Sequence, residues 1–187
     1  QSSAFFQTTM DIQPEPTLVE FARYNQWANQ QLLAICSELD ETLLTANIVG
    51  TAGSILETFG HILRAEASFL ERIHGESPQP DFQWNENPSL AQMTRYAAQV
   101  SQAFLDTIQS VSPTVNVHEE NEVWLFDYQA RLIYMSLVYH GIAHRTDITT
   151  FLNNQGVALP ELDVWGYQDA LPDRFQATLV RKADSNH

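Results

Sequence analysis

The sequence predicts an all-α fold, a four-helix bundle with a long crossover between the third and fourth helices. Three observations carry this expectation. Four segments of about 20 residues each repeat apolar side chains at helical spacing. Stretches containing proline, glycine or asparagine separate them. No series of strands competes with them for a core.

The first helix is expected from about Thr17 to Leu39. Pro14 and Pro16 stop a helix upstream, and the Thr17 hydroxyl can cap the start. Leu18, Phe21, Ala22, Asn25, Ala28, Leu32, Ile35 and Leu39 then recur at three- and four-residue steps. The second helix is expected from about Ser54 to Ile73. Ser54 and Glu57 form an S-x-x-E pattern, in which each side chain bonds the other residue's backbone N–H. Ile55, Phe59, Ile62, Phe69 and Ile73 make its stripe, and Gly75, Pro78 and Pro80 end it, leaving a loop to Pro88. The third helix runs from about Ser89 to Ser110 on Leu90, Met93, Ala97, Val100, Phe104 and Ile108, and Pro113 closes it. From Thr114 to Phe126 the pattern alternates about an acidic, Asn-containing centre, which predicts a short hairpin or an extended crossover. The fourth helix is expected from about Tyr128 to Asn153, burying Ile133, Leu137, Gly141, Ile148 and Leu152. Beyond Pro160 the tail is partly apolar, and Val164, Trp165, Tyr167 and Leu171 are expected to pack on the bundle.

At 187 residues the chain suits one domain, long enough for a single core without staples. Residues 17–187 are assigned to the bundle and residues 1–16 to an N-terminal extension. Met10 is a candidate natural start, with residues 1–9 then foreign to the protein. Apolar residues make up 44% and charged residues 17%, a profile that can fill a core rather than a disordered one. The net charge of −14 comes from 23 acids against 9 bases, and Lys182 is the one lysine. Phosphate backbones and anionic lipid surfaces are bound by clustered Lys and Arg, so nucleic acids and membranes are not expected partners. No apolar run approaches the ~20 residues that span a bilayer, and Gln1 to Gln13 lacks the pattern of a secretory leader. The single cysteine, Cys36, cannot form an internal disulfide and lies in a helical pattern, so it reads as a small buried hydrophobe. A cytoplasmic location is the expectation.

His140 and His144 form an H-x-x-x-H pair in the fourth helix. Residues four apart lie about 40° apart around a helix, one turn stacked over the next, so two such imidazoles can reach one ion. Their place between Leu137 and Ile148 puts them on the side expected to face the interior. There, unpaired imidazoles would be costly, and a shared metal would satisfy one nitrogen of each. Carboxylates or hydroxyls of neighbouring helices could do the same. Among candidate third ligands, His187 ends a polar tail, His118 lies in the acidic crossover, and His74 adjoins Gly75 at a helix end. His61 is mid-helix, off the main stripe, on a side with Ser54, Thr58, Ala65 and Ser68. That side reads equally as a cavity lining, a close helix contact or a solvated face.

Three stretches resemble a known family. Tyr24 to Leu33, YNQWANQQLL, resembles the first-helix signature of the DinB-like superfamily, also described as DinB/YfiT-like metalloenzymes. Phe59 to Gly75, FGHILRAEASFLERIHG, resembles its second helix. Tyr139 to Tyr167 resembles its fourth helix and following turn, where the family pattern is His, three residues, then His-Arg-Gly-Gln-Ile, and later Leu-Asp. The three occur in the family's order between Leu18 and Tyr167. The resemblance implies a bundle of DinB/YfiT type, a metal site of His61, His140 and His144, and a homodimer. One departure matters: Thr146-Asp147 stands where the family has Gly-Gln. Asp147 could orient a ligand imidazole, approach the metal, or face a neighbouring helix or solvent; the last is the simplest reading.

Three neutral imidazoles leave positions of a divalent ion open, the layout of a catalytic rather than a closed structural site. Zn or Ni is the expected ion among the metals a His-only set accepts. The resembling superfamily contains thiol-dependent S-transferases and isomerases. The expectation is therefore a metal-dependent enzyme acting on a small-molecule substrate, with thiol-dependent S-transfer as its reaction and a low-molecular-weight thiol as a second cofactor. Metal-assisted hydrolysis is the competing reaction. A stress-related binding protein with a structural or vestigial metal is the non-enzymatic alternative. Tyr24, Trp27, Glu57 and Arg145 are candidates for pocket or support roles; Tyr24 and Trp27 read more simply as core aromatics, and Arg145 as a surface or inter-helix ion-pair residue.

Overall fold

The structure, a computed structural model, describes residues 16–175. The extension containing Met10 and the end of the tail with Lys182 and His187 lie outside the described residues. What is described is mostly helical, as the periodicity requires. The helices are α1 (Pro16–Ser37), α2 (Glu41–Thr45), α3 (Ile55–His74), α4 (Leu90–Ser110), α5 (Arg131–Asn154), α6 (Val164–Ala170) and α7 (Pro172–Phe175). A 3-10 turn, Trp84–Glu86, lies in the loop before α4.

The four long helices begin and end where local chemistry allows. Ser54 caps α3: its hydroxyl accepts from Glu57 N at 3.2 Å while the Glu57 carboxylate accepts from Ser54 N at 2.7 Å. These bonds to the backbone hold the Glu57 carboxyl below its ordinary range. Glu57 thus caps α3, from a position that also borders the cleft between α3 and the start of α4. Gly75 ends α3 in the left-handed conformation, φ 78°. Ser89 and Gln92 make a second capping box at the start of α4.

α1 packs against α4 and α5, and α3 packs against the same two helices. Helices adjacent in sequence are therefore not all adjacent in space. The link from α1 to α3 through α2 crosses the molecule, as does the link from α4 to α5. The second of these is the expected crossover, and it carries an antiparallel hairpin of β1 (Asn116–Glu120) and β2 (Leu125–Gln129), with His118 opposite Asp127. One core joins the four long helices: Leu32 and Leu33 of α1, Phe59 and Ile62 of α3, Val100 and Phe104 of α4, Leu137 and Ile148 of α5. Cys36 is fully buried in it, and burial pushes its thiol up to about 12, which leaves it unreactive.

The tail returns to α1. Asp163 caps α6 by accepting from Trp165 N and Gly166 N. Tyr167 is buried against Tyr24 and Trp27, with ring centroids 6.0 and 5.3 Å apart, and the Tyr24 hydroxyl donates to Leu162 O at 3.0 Å. Val164, Trp165 and Leu171 stay exposed, so Tyr167 alone of the four predicted tail residues is a core residue.

Candidate metal centre

α3 supplies His61 two turns after its cap, and α5 supplies His140 and His144 one turn apart. The packing of α3 on α5 brings the three rings together, with centroid separations of 4.9, 4.6 and 4.5 Å. Each offers one ligand atom, and these atoms lie within 4.8 Å of one another. The Nε2 atoms of His61 and His140 are 3.0 Å apart. Two nitrogens about 2.0–2.1 Å from one tetrahedral ion would lie roughly 3.3–3.4 Å apart, so a shift of a few tenths of an ångström converts this pair into co-ligands.

The triad sits at a different depth from the one the periodicity predicts. All three histidines are half-buried at the seam between α3 and α5, and Gly141 and Arg145 take the interior positions of α5. Five apolar or small positions define the buried face correctly, but a neighbouring residue on the helix lies 100° away and lands on the seam instead.

The electrostatics favour neutral rings at His140 and His61. Burial is the main cause that lowers His140 to about 4, with repulsion from His144 and His61 adding to it. His61 is also lowered, by burial first and then by His144 and Arg64. His140 Nδ1 is buried without a hydrogen-bond partner among the described residues. Phe69 stands edge-on to His140, at 6.0 Å between ring centroids, and walls one side.

Asp147 corrects the simplest sequence reading. It does not face away: its Oδ2 lies 3.1 Å from His144 Nδ1. An ionised carboxylate only accepts, so the bond places the proton on Nδ1 and frees the Nε2 lone pair for an ion. Thus Asp147 orients a ring of the triad and is not among its converging ligand atoms.

The remaining predicted candidates fall elsewhere. His74 Nε2 bonds Thr107 Oγ1 at 2.8 Å. His118 bonds Asp127 at 2.7 Å on the exposed hairpin, which raises its pKa, with Glu120 contributing. Trp27 is partly buried in the Tyr24–Tyr167 cluster. Arg145, the surface or ion-pair candidate, is only 3% exposed. Its Nη1 donates to Asn25 Oδ1 at 2.8 Å and to Asn29 Oδ1 at 2.7 Å. The two amides in turn donate to Glu66 Oε1 at 2.8 and 3.1 Å. Sequence reasoning placed Asn25 in the α1 stripe and left Asn29 and Glu66 aside. The signal was there: Asn25 and Asn29 flank the fully buried Ala28 at the i, i+4 spacing of one face.

Beside the triad on α3, Gly60 and Arg64 border a cleft of about 610 Å³ that Trp84 and Met93 also line. Arg64 lies over the Trp84 ring, 4.9 Å from its centroid. The triad itself is half-buried at the α3–α5 seam and is not among the residues that line this cleft.

No curated protein matches the chain. The model of the DinB family matches residues 7–175, a span that contains all three histidines. With that match over most of its length, the chain belongs to the DinB family.

Proposed function

We propose that this protein is a metal-dependent enzyme in which His61, His140 and His144 hold one divalent ion and a small electrophile reacts with a low-molecular-weight thiol. The single observation that carries the metal is the convergence of three half-buried imidazoles from α3 and α5. The donor set fits the group. Neutral imidazoles are intermediate ligands suited to Zn, Ni, Fe or Cu, and Zn or Ni is the ion we expect here.

The support for catalysis over a structural ion is the use of Asp147. A closed structural site of four protein ligands would need a fourth donor. Asp147, the nearest acid in sequence, is spent on His144 Nδ1. A divalent ion in such a site lowers the pKa of a bound water or thiol and polarises an electrophile. Asp147 fixes the tautomer of His144, Phe69 walls one side of His140, and the half-buried position of the three rings leaves them within reach of a substrate. In S-transfer the sulfur forms the new bond to carbon, the leaving group departs with the electron pair of the bond it breaks, and the thiol proton passes to solvent. Metal-assisted hydrolysis uses the same geometry with water in place of thiol.

We also expect a homodimer in the cytoplasm. On α5, Leu132, Met135, Tyr139 and Ile142 follow a helical repeat and are 43%, 66%, 76% and 40% exposed, an apolar stripe that a second copy would cover. No helix among the described residues is long and apolar enough to cross a membrane.

The test is a conjugation screen of metal-loaded and metal-free protein with low-molecular-weight thiols and a panel of electrophiles. Metal- and thiol-dependent product is expected. Turnover that needs metal but no thiol would favour hydrolysis, and no turnover under any condition would favour the non-enzymatic alternative.

A further inference from the structure

Behind the triad lies a group of polar side chains that the metal site does not itself use. Asn25 and Asn29 of α1, Glu66 of α3 and Arg145 of α5 are 3%, 1%, 1% and 3% exposed. Burying one acid and one base is costly unless both are hydrogen-bonded, and an apolar replacement of similar volume is often as stable. Their cost therefore needs an explanation other than stability. The two asparagines mediate between the ions. Each turns its carbonyl to the guanidinium and its NH2 to the carboxylate, the only orientation that satisfies both neighbours. Burial raises the Glu66 carboxyl, opposed by the Asn25 and Asn29 amides and by Arg145, and burial lowers the Arg145 guanidinium, opposed by Tyr24 and Glu66.

The backbone has been shaped around this fork. Gly141 lies within α5, where glycine costs about 1 kcal/mol relative to alanine. A Cβ there would fall 2.7 Å from Arg145 Nη1 and closer still to Asn25 Oδ1. Glycine at 141 is what lets α1 approach α5 closely enough for the amides to reach the guanidinium.

The fork also sits next to the ligands in sequence. Gly141 follows His140, Arg145 follows His144, and Glu66 is five residues beyond His61, about 7.5 Å along the helix axis. It ties α3 and α5, the two ligand-bearing helices, to a common strut on α1. Hydrogen bonds of this kind are directional, so they fix the axial register of helices that apolar packing alone leaves free to slide. Resting on the metal reading above, we infer that the Glu66–Asn25/Asn29–Arg145 fork is a positioning device, which sets the register of α3 against α5 and so holds His61 within ligand distance of His140 and His144.

The test compares three variants with wild type, each verified as helical by circular dichroism. Arg145→Lys keeps the charge but removes the planar fork. Gly141→Ala drives a methyl between Asn25 and Arg145. Val100→Ala, a core deletion on α4, which carries no member of the fork or the triad, serves as the stability control. Zn(II) affinity is measured by chelator competition, the Co(II) absorption spectrum reports ligand geometry, and urea unfolding of the metal-free protein reports stability. Arg145→Lys and Gly141→Ala are expected to weaken Zn(II) at least about tenfold, the scale on which lost outer support acts, and to alter the Co(II) bands. Val100→Ala is expected to lose stability with affinity and spectrum unchanged. Should one fork variant fail to fold, the other decides. Wild-type affinity and spectrum in a folded fork variant would overturn the inference, as would an equal loss in Val100→Ala. If wild-type protein itself takes up no ion, the metal reading fails, and this inference with it; uptake by wild type with unchanged fork variants overturns the inference alone.

Discussion

At the scale of single residues, the chemistry turns on which nitrogen of each imidazole is free. His144 is settled by Asp147, whose carboxylate accepts a hydrogen bond from Nδ1–H and leaves the Nε2 lone pair free. Asp147→Ala should therefore weaken metal binding by about 10- to 100-fold, while Asp147→Asn, whose amide oxygen still accepts that hydrogen bond, should lose less. Chelator-competition titrations of the two variants check this, and unchanged affinity in Asp147→Ala would show that the bond is incidental. Residue-level reading of the sequence found His140 and His144 from spacing alone. It could not place His61, because a helix side carrying Ser54, Thr58, Ala65 and Ser68 has no polarity contrast to show which way it faces. Family resemblance supplied it. Asp147 was misjudged for a related reason: an acid on a seam looks the same in sequence as an acid in solvent.

At the scale of elements, the four long helices were legible because each carries a mainly apolar stripe and a local stop. The α3 cap was legible in full, since S-x-x-E is a contact between near neighbours. Ser54→Ala should cost about 0.5–2 kcal/mol in urea denaturation, the usual effect of losing such a cap. A loss well outside this range would mean that Ser54, which is 5% exposed, does more than cap the helix. α2 escaped because five residues are too few to show a period. The hairpin was visible as alternation, although β2 ran on to Gln129 and α5 began at Arg131 rather than near Tyr128. The buried fork escaped for a different reason. Each of its members is individually a polar residue suited to a surface, and only the packing of α1, α3 and α5 gives them one another as partners.

At the scale of the whole molecule, the order in which helices pack was beyond the reach of one sequence. Stripe positions say that a face is buried but not against which helix, and here α1 lies against α4 and α5. That arrangement is what makes the site. It sets His61 opposite the α5 pair at the seam and places α1 behind both histidine-bearing helices. The apolar core is complete without an ion, and the polar fork, rather than the metal, links the helices from within. In the proposed reading the ion therefore serves function and not folding. The most direct measurement is elemental analysis of tag-free protein, wild type beside His61→Ala, His140→Ala and His144→Ala. About one divalent ion per wild-type chain and little or none in each variant is the predicted result, since three ligands share one site. Stoichiometric metal retained after loss of any of the three histidines, or none in the wild type, would contradict the account.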